Sequence, residues 1–141
     1  MLAVYDADGR ITQCIIQAQV SLEELAERYT NAGIPNVLFD SDDADGMHTF
    51  YVKAGDIVMR PRIAIDGVNL PIRANGTDAL TFTLNPAAAT VSVLFAGKLV
   101  HQEQVNDGVI EFSADHVGTY TVVIEPAFPY QTEILTIEVV A

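Results

Sequence analysis

The chain has no tryptophan and a single cysteine, Cys14. One cysteine excludes a disulfide within the chain, so apolar packing has to hold any core together. Cys14 lies in an apolar run, which predicts a buried structural thiol rather than a reactive nucleophile.

Positive charge is also scarce. Seven lysines and arginines stand against 19 aspartates and glutamates, and the formal net charge is −12. Such a surface repels nucleic acid and anionic membrane, so neither is expected as a partner. Residues 1–60 and 61–141 share the negative charge evenly, so neither half is a charged tail.

Long hydrophobic runs are missing as well. No stretch approaches the roughly 20 apolar residues that span a bilayer, and the N-terminus lacks the basic and apolar regions of a signal peptide. We therefore expect no membrane insertion. The 141 residues, of which 50% are hydrophobic, permit one ordinary domain or two very small ones with a packed core.

Residues 1–60 predict a small β/α unit of order ββαββ. Periodic apolar residues indicate a hairpin, one helix, two later strands and a last short apolar segment, at 2–5, 10–20, 22–32, 36–40, 49–53 and 57–59. One helix can cover one face of such a sheet. A unit of about 55 residues is marginal alone, so we expect it to lean on the second half of the chain or on a partner.

The helix is predicted from Leu22 to Ala32. Ser21 and Glu24 have the spacing of a capping box, in which the serine hydroxyl accepts from the third amide of the helix and the glutamate reaches back. Gly33 suits the left-handed position that ends a helix, and Pro35 prevents the helix from resuming.

An acidic loop at residues 40–46 partly matches the pattern of a calcium site. Asp43, Asp45 and Gly46 fit early positions of an EF-hand loop, but Ser41 takes the first position, which normally carries aspartate. The twelfth position, which requires a glutamate, falls on Val52. The pattern favours a solvated acidic hairpin loop, and no metal or cofactor is expected.

Arg60-Pro61-Arg62 marks the predicted boundary, because proline stiffens a short linker and cannot donate to a sheet. The rest, residues 61–141, predicts an immunoglobulin-like antiparallel β-sandwich of about seven short strands. The strands are expected at 63–66 and 68–72 (one broken strand), 80–84, 90–95, 99–105, 109–113, 119–124 and 132–140. Polar side chains on 99–105 indicate an edge strand.

The stretch from Gly118 to Ile124 defines this predicted sandwich. Gly118 closes a turn, and Tyr120 begins an alternating strand, as at the corner where a tyrosine ties its hydroxyl to nearby backbone. The strand that follows is expected to be central. Without the disulfide and tryptophan of antibody domains, the sheets must be held by Leu80, Phe82, Val91, Phe112, Tyr120 and Val122.

No catalytic constellation stands out. His48, His101 and His116 lack the paired spacing of a metal site. Ser113, Asp115 and His116 include the residue types of a hydrolase triad, but they lie too close in the chain to converge in triad geometry, and no nucleophile elbow is present. A turn that satisfies its own backbone is the expectation, and no enzyme activity is predicted.

Two sets of motifs resemble small structural proteins encoded among bacteriophage tail genes. One runs from Val4 to Ile11 and continues at 51–55 and Arg60-Pro61. The other comprises 107–112, 118–122 and 125–130. The long acidic loop and the helix depart from that pattern. The resemblance implies a virion or tail-assembly component, made in the bacterial host cytoplasm, with no catalytic residues to carry over.

The resemblance also implies partners. We expect other virion proteins to bind this chain, in several copies around a symmetry axis. Four basic residues close in sequence, Lys53, Arg60, Arg62 and Arg73, are candidates for contacting acidic residues of a neighbour. The alternative is that they are solvated side chains with local acidic partners.

Alternative functions are a capsid decoration protein and a tail-attached module that binds a sugar or protein of the host surface. In the second case Phe128 and Tyr130 would offer stacking surfaces. The competing interpretation is that both aromatic residues cap the core.

Overall fold

The computed structural model describes residues 1–41, 45–67 and 71–141. Its contacts divide the chain into two compact units, Met1–Pro61 and Arg62–Ala141, called here the first and second unit. The fold is mainly β with almost entirely antiparallel sheets, which confirms the predicted fold class. No helix among the described residues is long and apolar enough to cross a membrane.

The first unit holds five strands and two helices. In chain order they are β1 (Leu2–Tyr5), β2 (Ile11–Ile15), α1 (Leu22–Asn31), β3 (Asn36–Leu38), α2 (Gly46–Thr49), β4 (Phe50–Lys53) and β5 (Asp56–Met59). The strands do not form one sheet. β2, β1 and β3 make a three-stranded sheet in that order, and β4 and β5 pair only with each other.

Helix α1 starts as the capping pattern predicts. The Ser21 hydroxyl accepts a hydrogen bond from the Glu24 backbone N–H at 3.1 Å. The reciprocal half of the box is absent, because the Glu24 carboxylate accepts from Arg28 one turn later instead. The apolar face of α1 is only half-buried, and no residue of the helix is fully buried.

Strand β2 ends at Ile15, five residues before its predicted end. Its partner β1 pairs Leu2 with Ile15, so 16–20 have no neighbouring strand to continue the ladder. A strand extends only as far as it has a neighbouring strand to pair with. The alternation in the sequence therefore predicted too great a length for β2. Cys14 is half-buried against the small core of this unit rather than fully buried.

Part of the acidic loop folds into the short helix α2, where a hairpin loop was expected. The Asp45 carbonyl accepts from the His48 N–H at 2.9 Å, which closes one helical turn. Gly46 is buried beside Met1 and Cys14. Gly46, one of the three residues that fit the EF-hand pattern, is therefore helical, while Asp43 lies outside the described residues.

Gly9 joins the β1–β2 turn to strand β4. Its carbonyl accepts from the Val52 N–H at 2.8 Å. A Cβ at this position would lie 1.9 Å from the Val52 carbonyl oxygen, and φ is +84°. Only glycine permits so close an approach of two backbones.

The second unit is a sandwich of two sheets. Its strands are β6 (Ala64–Asp66), β7 (Ile72–Arg73), β8 (Leu80–Asn85), β9 (Ala89–Phe95), β10 (Lys98–Val105), β11 (Val109–Phe112), β12 (Gly118–Pro126) and β13 (Glu133–Val140). One sheet has the order β10-β9-β12-β13-β7, and the other has the order β11-β8-β6. β12 is central and β10 is an edge strand, as predicted.

The broken first strand divides between the two sheets. β6 pairs with β8 in one sheet, whereas β7 runs parallel to the end of β13 in the other. The intervening residues 68–70, which were predicted to begin the second piece, lie outside the described residues.

Side chains from both sheets form one core of fifteen buried residues. Tyr120, Val122 and Ile124 alternate inward along β12, and Ile137 and Val139 do so along β13. The residues predicted to hold the sheets together all belong to this core or pack directly against it.

Candidate functional site: a cleft at the open edge of the sandwich

A cleft of about 580 Å³ lies between β10 and β11 in the second unit and is named here the edge cleft. Its floor is formed by core residues of β9, β11 and β12, among them Val91, Val93, Ile110, Phe112, Tyr120 and Val122. Its rim carries the exposed residues Val100, His101, Glu103, Glu111, Asp115 and His116.

The cleft exists because the two sheets differ in width. Five strands face three, and neighbouring strands are about 4.8 Å apart, so the wider sheet exceeds the narrower one by two strands, or about 10 Å in total width. On this side nothing in the described chain continues the narrower sheet beyond β11. The inner face of β10 is therefore left open to solvent.

Two polar side chains occupy that open inner face. His101 pairs with Val93, and Glu103 pairs with Val91, across the β9–β10 ladder. Directly opposite residues share a face, so His101 and Glu103 point to the same side as the buried valines. Yet their side chains are 60% and 46% exposed, because no described strand of the second unit lies over them.

Val100 adds an apolar element to the rim. The register of the β9–β10 ladder shifts between Leu99 and His101, so Val100 is the extra residue of a bulge. It is 54% exposed and lines the cleft. A bulge at an edge strand is a common way of re-aiming one side chain.

Tyr120 forms the end of the floor. Its ring is stacked on Phe95 at 4.5 Å and meets Phe112 edge-on at 5.3 Å. Its hydroxyl donates to the His116 carbonyl at 3.3 Å, four residues back. This is the corner arrangement predicted from the sequence.

Gly118 makes that corner sterically feasible. Its φ is +147°, and a Cβ there would lie 2.7 Å from a ring carbon of Phe95. A larger residue would push against the ring that stacks on Tyr120. The sequence identified Gly118 as a turn residue, but the contact with Phe95 depends on the pairing of β12 with β9.

The residue types of a hydrolase triad lie at the rim without its geometry. His116 Nδ1 and Asp115 Oδ1 are 2.6 Å apart, but both side chains are about three-quarters exposed (73% and 75%). No hydrogen bond joins Ser113 to His116 within the described chain. A charge relay of this kind requires a nucleophile held against the imidazole in a preorganised site.

Metal binding finds no support in the side-chain arrangement either. Where the structure describes the chain, no group of three His, Cys, Asp or Glu side chains is placed to hold a metal ion. His101 and His116 do line one cleft, although they are fifteen residues apart in the sequence. Spacing alone did not indicate this, since the sandwich brings the two segments together.

Of the four basic candidates for partner binding, Arg62 has a partner in its own chain. Its Nε and Nη2 donate to the two carboxylate oxygens of Glu133 at 2.7 and 2.8 Å. Glu133 begins β13 on its inward side and is 9% exposed. The hydrogen bonds from Arg62 hold the pKa of Glu133 below its ordinary value, and they raise the pKa of Arg62.

The other three are not gathered into a patch within their units. In the first unit, Lys53 lies at the turn of the β4–β5 hairpin and Arg60 follows its opposite end. Arg60 Nη1 is 3.3 Å from the His48 carbonyl, and burial, with the charge of Arg10, lowers the pKa of Arg60. In the second unit, Arg73 pairs at the far end of β13 from Arg62.

The aromatic pair proposed for stacking lies after β12. Tyr130 is half-buried and packs against the core of the second unit. Phe128 is also half-buried. The position of Tyr130 favours the core-capping interpretation over an open platform for sugars.

Comparison with known proteins leaves the family open. No protein-family model and no curated protein matches the chain. Solved structures of the Arg-specific cysteine proteinase gingipain R and of the complex of Porphyromonas gingivalis RgpB pro- and mature domains share 16% identity, at a TM-score of 0.45. They cover 57% of this chain, which spans only 19% and 20% of theirs, and a likeness this weak says nothing about its activity.

Proposed function

We propose that this chain is a non-enzymatic structural protein of a bacteriophage virion, associated with the tail or baseplate, where it binds neighbouring subunits. The observation that carries the binding role is the edge cleft. Within its described residues the second unit has a packed core, yet it leaves the inner face of β10 and the edges of β10 and β11 uncovered at the cleft. Uncovered edges are sites where another chain can pair.

The phage setting rests on the turn and strand motifs, above all Val4 to Ile11, 118–122 and 125–130. A non-enzymatic role agrees with the exposure of Asp115 and His116 and with the missing bond between Ser113 and His116. Fold alone assigns no function, so the proposal depends on these sites and motifs together.

Symmetric assembly would give each copy the same neighbours. Contact of Lys53, Arg60, Arg62 and Arg73 with acidic residues of another subunit remains part of the proposal. Arg62 would then have to bind Glu133 and the neighbour together, or leave Glu133 for an acidic residue of the neighbour. Lys53 and Arg73 are exposed and can reach a neighbour while the pair of Arg62 with Glu133 stays intact. Such contacts set orientation more than affinity.

The test is mass spectrometry of purified particles of the phage that encodes this chain. We expect the chain to band with particles in a density gradient and to stay bound through a high-salt wash, in a fixed ratio to the major tail protein. An abundant host protein serves as the contamination control. Particles that lack the chain, or hold it only at the control's level, refute the proposal.

A further inference from the structure

We propose that the edge cleft binds an extended segment of another virion protein, which adds a fourth strand beside β11 and carries basic residues at its ends. This inference rests on the proposed function and names the partner's chemistry at the same site. Strand addition supplies affinity through backbone hydrogen bonds and specificity through alternate side chains.

The backbone of β11 offers a free edge at the right place. Ile110 pairs with Phe82, and the Gly108 carbonyl accepts from Leu84 two residues earlier. Bonded and non-bonded pairs alternate in an antiparallel ladder, so Val109 and Glu111 direct their backbone groups to the open side. Asp107 already accepts the Val109 N–H at 3.0 Å, which leaves Glu111 as the main docking point.

An added strand would cover the exposed inner face of β10. Its inward side chains would meet Val100, His101 and Glu103, which all line the cleft, while its outward side chains would face solvent. A segment with one covered face and one solvated face alternates in polarity, and basic residues at its ends would complement the Glu103 carboxylate.

Charge identifies the occupant as a different protein with basic ends. Among the described residues, Glu103, Glu111 and Asp115 line the cleft, and no lysine or arginine does. The second unit as a whole has nine acidic and three basic side chains, so a second copy would meet like charge. Complementary charge favours a partner segment flanked by lysine or arginine and speeds its encounter.

A synthetic peptide provides the probe. It has about ten residues, enough for one strand, with alternating valine and threonine, one central tryptophan and two lysines at each end. The protein has no tryptophan, so the emission reports on the peptide alone. We expect a saturable blue shift, and at least tenfold weaker binding when glutamates replace the lysines.

Two controls distinguish strand addition from nonspecific binding of the peptide. The same peptide, N-methylated on alternate residues, keeps its side chains but loses strand pairing, and should not bind. On the protein, Val100→Lys should weaken binding at least tenfold. Leu99→Lys, a matched change on the same strand outside the cleft, should not weaken it, since Leu99 is equally exposed, at 57% against 54%.

Hydrogen exchange locates the peptide and decides the outcome. Slower exchange at the Glu111 amide on binding supports the proposal. Binding that survives N-methylation, or protection confined to other strands, overturns it. The proposal is also overturned if the protein without peptide forms a dimer and Val100→Lys makes it monomeric, since the occupant of the cleft would then be a second copy.

The two proposals fail separately. If the chain is absent from particles, the virion assignment is wrong, but peptide binding at the edge cleft is unaffected by that result. A chain found in particles that binds no peptide removes strand addition alone.

Discussion

The first and second units differ most in how much apolar surface they bury. The second unit has one core of fifteen buried residues drawn from both sheets. Among its described residues the first unit buries five apolar side chains, Met1, Leu2, Ala3, Ile11 and Val52, of which the last three form a cluster with half-buried residues around it. Its helix buries no residue completely.

The difference shows two ways of specifying a small fold. In the second unit, strands far apart in sequence meet face to face, so burial carries most of the stability. In the first unit, backbone interactions contribute more: the Ser21 cap, the close backbone approach of Gly9 to Val52 and the short ladders beside β1. We therefore expect the first unit to open at lower free energy than the second, which amide exchange measures.

The largest effect is expected from removing a core ring. Phe82→Ala should destabilise the second unit by about 3–5 kcal/mol, through lost burial and the cavity left behind, because Phe82 is only 4% exposed. Urea unfolding with amide exchange in each unit measures it. Leu99→Ala, on an exposed site, should change stability by less than about 0.5 kcal/mol. If Phe82→Ala reduced the amide-exchange protection of the first unit as much as that of the second, the two units would not open separately.

The matching change in the first unit is Gly9→Ala. It should cost about 2–4 kcal/mol there, since the methyl group meets the Val52 carbonyl and φ is positive. Gly33→Ala is the control, with φ of +74° but no atom within 4 Å of the added Cβ, and should cost only about 1–2 kcal/mol. If both variants lost the same stability, the close approach of Gly9 to the Val52 carbonyl could not be the cause.

A smaller effect is expected from Arg62→Ala, which leaves the Glu133 carboxylate nearly buried without its partner. We expect a loss of stability at neutral pH, because a nearly buried carboxylate loses both of its hydrogen-bond donors. Arg28→Ala breaks an exposed pair with Glu24 one turn away and should cost only about 0.3–0.5 kcal/mol.

The same pair predicts a pH dependence. The folded-state pKa of Glu133 is lowered, so its stabilisation is complete above the unfolded pKa of about 4.3 and is lost as pH falls through the lower folded value. Arg62→Ala should flatten this acid limb of the stability curve. An unchanged limb would show that other carboxylates produce it.

The smallest effect is expected from Tyr120→Phe. The ring keeps its contacts with Phe95 and Phe112, and only the hydrogen bond to the His116 carbonyl is lost, at a cost of about 1 kcal/mol. Tyr29→Phe on helix α1 is the control, expected within about 0.5 kcal/mol. A cost no larger than the control's would mean that the corner bond contributes nothing to stability.

Features with a short-range cause were predictable from the sequence. Alternation placed Tyr120, Val122 and Ile124 on the inward face, because side chains of a strand alternate between two faces. Ser21 before an apolar helical pattern located the start of α1 for a similar reason. The single turn of α2 was missed, since four residues are too few to show a helical period.

The basic candidates show where spacing in sequence misled. Lys53, Arg60, Arg62 and Arg73 are neighbours along the chain, but within each unit the strands carry them to opposite ends of a hairpin or strand. Arg62 instead finds Glu133, 71 residues away. Pairing over such a separation depends on the register of the sandwich, which no local pattern encodes.

By itself the sequence determined the mainly β class, the inward face of each long strand, the Tyr120 corner and the acidic surface, since each follows from residue type and local period. Only the tertiary structure decided where β2 stops, how the first strand divides and where the edge cleft opens. Those features depend on how many strands each sheet contains and which strands pair, and these are properties of contacts between distant segments.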